Sequence, residues 1–111
     1  MSGWQVDALD VAKLEMAAWP IELRAALTRI VDRIEKLGLE KIREPMVKHI
    51  EGKLWEMRPS GKDIEGRTLY VTVKGKRVTI VLAFVKKTQR TPRRLIELAL
   101  EREEQARERE Y

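Results

Sequence analysis

Residues Arg77 to Val85 read Arg-Val-Thr-Ile-Val-Leu-Ala-Phe-Val, the most apolar stretch of the chain, and stop at Lys86-Lys87. A short run rich in β-branched residues and bounded by polar turns reads as a strand buried on both faces. It therefore predicts the centre of a sheet. Before it, Lys74-Gly75-Lys76 is hairpin chemistry, with the glycine free to take positive φ. Arg67 to Val73 supplies a second strand, rich in β-branched and aromatic residues. Pro59-Ser60-Gly61-Lys62-Asp63 is another turn. Lys53 to Arg58 then reads as a third strand, with Trp55 and Met57 on one face and Leu54, Glu56 and Arg58 on the other. Three strands joined by short turns predict an antiparallel meander.

The N-terminal part predicts cover for that sheet. Trp4 to Asp7 is a short candidate strand. Asp7 or Asp10 can cap a helix over Val11 to Ala18, with Val11, Leu14 and Ala18 on one face. Pro20 ends this helix and opens the next as its first residue. From Ile21 to Leu37, the residues Leu23, Leu27, Ile30, Ile34 and Leu37 recur at helical spacing, and Gly38 follows as the C-terminal cap. Leu39 to Glu51, broken by Pro45, reads as a loop with one helical turn. After the sheet, Thr91 as N-cap and Pro92 as first residue open a last helix that carries Leu95, Leu98 and Ala99 inward. Its continuation over about 101–111 reads as a solvated polar helix, supported by pairs such as Glu103 to Arg107. The expected fold is α+β: an N-terminal helical hairpin packed on a small antiparallel sheet, with a C-terminal helix, in a single domain spanning 1–111.

Charge is distributed unevenly along this plan. Of 23 basic residues, nine (Arg67, Lys74, Lys76, Arg77, Lys86, Lys87, Arg90, Arg93, Arg94) lie between Gly66 and Ile96, a stretch with no acidic residue; that leaves 14 basic against 18 acidic elsewhere. The basic character is a patch, and a patch points to a polyanion. The strand that ends in Lys86-Lys87 and the helix that starts after Thr91 aim cations and free backbone N–H groups at one place, an arrangement suited to phosphate. The chain has no cysteine, so neither disulfide nor thiolate chemistry is available. It has no long apolar run, no signal-peptide pattern and no basic amphipathic helix suited to a membrane surface, so a cytoplasmic location and a nucleic-acid partner are expected.

Three stretches resemble a known group. Val47-Lys-His-Ile-Glu-Gly-Lys-Leu-Trp-Glu-Met-Arg58, Arg67-Thr-Leu-Tyr70 and Ala83-Phe-Val-Lys-Lys-Thr-Gln-Arg-Thr-Pro92 are similar to the HigB-type branch of the RelE/ParE toxin superfamily, which includes phage-derived homologues. The resemblance extends from about Trp4 to Ala106. It implies a small α+β toxin of a type II toxin–antitoxin system that cuts messenger RNA on the ribosome. It also implies an antitoxin, commonly a helix-turn-helix protein of HigA type, that holds the toxin inactive in a hetero-oligomer. The superfamily also contains gyrase inhibitors on the same scaffold, so fold alone does not fix activity. Arg67, Lys86 and Lys87 match positions where ribonuclease members carry cations. The tyrosine or histidine that some relatives place in the last helix is absent here.

RNA cleavage by its own 2′-hydroxyl requires removal of a proton, stabilisation of phosphate charge and protonation of the leaving 5′-oxygen, and none of these needs a metal or a cofactor. Arginine stays protonated, so Arg67 and Arg58 can only position and stabilise the phosphate. A lysine crowded by cations loses its proton more readily, so Lys86 or Lys87 can serve as acid or base. The expected catalytic set is Arg67, Lys86 and Lys87. RNA would be held by Arg58, Thr88, Arg90, Arg93, Arg94, Lys74 and Lys76. Two other activities fit the same patch: gyrase inhibition, and RNA binding without catalysis. Trp55 and Tyr70 read as core residues, with base stacking as the alternative. His49 is a lone histidine without metal-ligand spacing around it.

Overall fold

The computed structural model describes residues 2–110 of the chain. Three helices cover a six-stranded, mostly antiparallel sheet, an α+β architecture as expected. The strands are β1 (Gln5–Ala8), β2 (Val47–Glu51), β3 (Leu54–Met57), β4 (Ser60–Gly61), β5 (Ile64–Val73) and β6 (Arg77–Val85); the helices are α1 (Asp10–Ala17), α2 (Ile21–Leu37) and α3 (Arg93–Glu110). Strand order is β1-β6-β5-β3-β2, with the two-residue β4 on β5. Only β1 runs parallel to its neighbour, β6. The β3-β5-β6 meander is present, and the apolar β6 sits inside the sheet as its composition requires.

The two faces of the sheet carry separate cores. On one, the α2 residues Leu23, Leu27, Ile30 and Ile34 pack with Met57, Tyr70, Val78 and Ile80. On the other, Leu54, Leu69, Val71, Val81 and Leu82 meet Ala99 of α3. Alternation along β3 and β5 sorts residues between the faces. A β-bulge interrupts β6: Tyr70 pairs with Ile80 and Leu69 with Leu82, so Val81 is an extra residue. Beyond it, every side chain of β6 falls on the face opposite to the one that uninterrupted alternation would give. Phe84 consequently joins the α3 side.

Several local expectations are corrected. Leu39 to Glu51 is not merely a loop; after a 3₁₀ turn at Leu39–Lys41 it supplies β2, whose partner is β3. On α1 the inward residue is Ala12, whereas Val11 and Leu14 face solvent, Leu14 at 73% exposure. Leu37 also lies outside the α2 stripe, and Trp55 is exposed rather than core. Pro20 precedes α2 as its N-cap instead of its first residue. Gly38 closes α2 as expected, at φ +99°. The last helix starts at Arg93: the Pro92 carbonyl accepts from the Leu95 and Ile96 N–H groups, so Pro92 occupies the capping position and Thr91 does not. The α3 continuation is not simply solvated, because Glu103 and Ala106 are buried.

Candidate functional site

The residues Glu56-Met57-Arg58 and Glu65-Gly66-Arg67 lie on neighbouring antiparallel strands. Trp55 pairs with Tyr70 and Met57 with Thr68, so the end of β3 runs beside the start of β5. Within each triplet the acid and the arginine are two residues apart, and so point to the same face. That face is the α3 side. The Arg58 N–H is held by the Met46 carbonyl at 2.8 Å, which also draws the start of β2 into place.

Glu56 is completely buried, and an isolated carboxylate there would be very costly. Its partners offset that cost. Oε1 accepts from Arg58 Nε at 3.1 Å and from Arg67 Nε at 3.2 Å, while Oε2 accepts from the Thr91 hydroxyl at 2.5 Å. One carboxylate therefore fixes two guanidinium planes and ties the start of α3 to the sheet. Arg67 is 3% exposed and also pairs through Nη1 with Glu65. Burial lowers the Arg67 pKa from its ordinary value, the Glu56 charge opposes that shift, and Arg58 adds to it. An arginine so placed remains a fixed positive charge.

The bulge decides which lysine joins this group. Lys86 continues the pairing of β6 through an N–H bond to the Glu65 carbonyl at 2.8 Å, and its Nζ stands 4.0 Å from Glu65 Oε1. Without the extra residue at Val81, uninterrupted alternation would turn Lys87 to this side. A cleft of about 470 Å³ opens here, lined among others by Lys48, Arg58, Glu65, Arg67, Lys86 and Gln89. Four of these are cations, against Glu65 in the wall and Glu56 beneath.

The structure gathers the expected site residues unequally. Arg58, Arg67 and Lys86 share the cleft. Lys87 is exposed and does not line it. Thr88 and Arg90 form a tight turn at its rim, the Thr88 hydroxyl donating to the Arg90 carbonyl at 2.6 Å. Arg93 is engaged elsewhere, bonding both carboxylate oxygens of Glu51 at 2.6 and 3.0 Å and Glu97 at 3.4 Å. That hydrogen bonding raises the Arg93 pKa and lowers that of Glu51. Arg94 is exposed on the first turn of α3. Lys74 and Lys76 belong to the β5–β6 turn, roughly 23 Å along β5 from Arg67. They lie at the other end of the sheet from the cleft.

Glu56, Glu65, Lys48 and Gln89 are the participants that reading the sequence missed. The repeated acid-x-arginine spacing was the available signal for the two glutamates. His49 bonds the Gly52 carbonyl at 2.7 Å and stacks edge-on with Trp55, away from the cleft. Among the described residues no cluster of three or more histidine, aspartate or glutamate side chains is arranged to hold a metal ion. No described helix is long and apolar enough to cross a membrane.

The chain is an α+β domain with a helical layer on each face of its sheet and a cationic cleft at the strand ends. The chain belongs to the family described as Phage derived protein Gp49-like (DUF891), which it matches over residues 14–104. Among solved structures it is similar to the toxin-antitoxin complex RelBE2 of Mycobacterium tuberculosis, at 16% identity over 78% of this chain and 94% of that chain, with a TM-score of 0.54. It is also similar to the archaeal RelE-RelB complex of Pyrococcus horikoshii, at 20% identity over 75% and 94% of the two chains, with a TM-score of 0.52. The resemblance to the RelE/ParE superfamily is borne out in fold. A search of curated proteins finds no match.

Proposed function

We propose that this protein is the toxin of a type II toxin–antitoxin system, of HigB type, and that it cleaves messenger RNA on the ribosome by attack of the 2′-hydroxyl on the adjacent phosphate. The observation that carries this reading is the convergence of Arg58, Arg67 and Lys86 on one cleft. In that cleft the Nε atoms of both arginines are already held by Glu56. Preorganised cations of this kind stabilise charge that builds on a phosphate, which is usually the largest catalytic contribution. Arg67 and Arg58 grip the phosphate, Lys86 donates a proton to the leaving oxygen, and the Thr88–Arg90 turn meets the flanking backbone. No metal or cofactor is required for these roles.

The implied partner is an antitoxin, of helix-turn-helix type, that covers the cleft with acidic or aromatic residues. The two complexes named above each hold a toxin with its antitoxin, which supports such a partner. Expression of the chain alone, followed by primer extension on translated messages, tests the reading. Discrete new 5′ ends in wild type, lost in Arg67→Ala, are expected. DNA damage without cuts would replace it with gyrase inhibition, and growth arrest without either lesion would reduce the cleft to an RNA-holding surface.

A further inference from the structure

Resting on the endoribonuclease reading, we propose that Glu65 is the general base of the cleavage, the group that takes the proton from the attacking 2′-hydroxyl. The ionisable side chains lining the cleft are Lys48, Arg58, Glu65, Arg67 and Lys86. Arginine does not give up its proton in proteins. Lysine ordinarily holds its proton at neutral pH, which suits a donor and not an acceptor. Glu65 is the one carboxylate in the wall of the cleft.

Glu56 does not compete for the role. It has no exposed surface, and its two oxygens already accept from Arg58, Arg67 and Thr91. Glu65 differs on both counts. Its side chain is 32% exposed, and while Oε2 pairs with Arg67, Oε1 is 4.0 Å from Lys86 Nζ, beyond hydrogen-bond length. That oxygen keeps a lone pair free beside the cations that bind the phosphate. Base, phosphate clamp and acid then occupy adjacent positions: Glu65 and Lys86 pair across β5 and β6, and Arg67 stands two residues from Glu65.

The step balances within these groups. The 2′-hydroxyl proton passes to Glu65 Oε1 as the 2′-oxygen bonds to phosphorus. The bond from phosphorus to the 5′-oxygen breaks, and the Lys86 ammonium supplies the proton to that oxygen. The products are a 2′,3′-cyclic phosphate and a free 5′-hydroxyl, and solvent returns both side chains to their starting states.

A bystander role, in which Glu65 only balances the charge of Arg67, predicts something different. Removing a counter-charge would then tighten phosphate binding and leave the chemical step intact. The test uses the full chain on translating ribosomes, with single-turnover cleavage of a short message measured for wild type, Glu65→Gln, Glu65→Asp and Lys86→Ala. Each is assayed on a normal message and on one with sulfur in place of the bridging 5′-oxygen, a leaving group that needs no acid. Glu65→Gln is expected to bind ribosomes normally, cleave about 10²- to 10⁴-fold more slowly, and remain slow on the sulfur message. Glu65→Asp retains part of the rate, and Lys86→Ala recovers on the sulfur message. A Glu65→Gln protein that cleaves as fast as wild type, or that recovers with sulfur, overturns the assignment while leaving the ribonuclease reading standing. A wild-type protein that cuts neither message removes both.

Discussion

Arg102 and Glu15 clasp each other beside the edge of β6 that β1 leaves uncovered beyond the Ala8–Ile80 pair. Two guanidinium nitrogens lie 2.9 Å from the two carboxylate oxygens. The same pair serves the backbone: Arg102 donates to the Val81 carbonyl at 3.0 Å, and Glu15 accepts from the Ala83 N–H at 3.1 Å. Beyond Ala8 the neighbouring strand has ended, so these contacts replace the missing ladder. Either Arg102→Ala or Glu15→Ala leaves a partly buried charge and a backbone group unmatched, at a cost of about 1–3 kcal/mol. Urea unfolding of the two single variants and the double variant measures it. Additive losses, with no coupling between the two positions, would mean the clasp is incidental.

Glu56 is expected to matter more for stability. Glu56→Ala strands Arg67 in a nearly closed environment and also frees Thr91 at the start of α3. Breaking a buried ion pair from one side costs about 3–5 kcal/mol. Thermal unfolding should show this loss, and Arg67→Ala in the Glu56→Ala background should recover part of it. If the double variant is no more stable than the single one, the buried guanidinium is not the source of the penalty.

Tyr70 sets a limit on the alkaline side. It is almost completely buried, and burial raises its phenol pKa above the ordinary range. A raised folded value means that the contribution is fully present below the unfolded pKa near 10. Above that pH the unfolded phenol ionises while the folded one stays neutral, so stability falls by up to about 1.4 kcal/mol per pH unit. Urea midpoints taken between pH 9 and 11 should drop more steeply in wild type than in Tyr70→Phe. Parallel curves would exclude Tyr70 as the cause.

What could be read from residues alone follows from how local each determinant is. The three strands of the meander and the α2 stripe from Leu23 to Ile34 follow from periodicity, which a linear reading sees directly. On α1, Val11 and Leu14 misled because a short helix offers few turns from which to fix a phase, and the close approach of Ala12 to the sheet outweighs their hydrophobicity. Strand β2 was hidden because its residues, among them Lys48, His49 and Glu51, are polar, and its edge position tolerates that. The cationic half of the cleft showed in charge density. Its carboxylates do not, since Glu65 lies one residue outside the acid-free stretch and the alternation of β3 marks Glu56 only as the opposite face of a strand from Trp55 and Met57.

The difference between Lys86 and Lys87 depends on the extra residue in β6, and nothing in the local sequence announces it. Strict alternation from Ile80 would place Lys86 on the α2 side of the sheet and Lys87 with Arg67. Because Val81 is bulged, the order reverses: Lys86 neighbours Glu65 across the strands and lines the cleft, whereas Lys87 is exposed. Under the proposed reaction, Lys86→Ala should lower message cleavage by about 10²- to 10⁴-fold, as loss of a positioned proton donor does. Lys87→Ala keeps every contact in the cleft and should change the rate only a few-fold, chiefly through RNA affinity and most visibly at low salt. Toxicity in cells and primer extension on the same transcripts read both effects. Equal loss in the two variants, or a greater loss in Lys87→Ala, would show that the bulge does not choose the catalytic lysine.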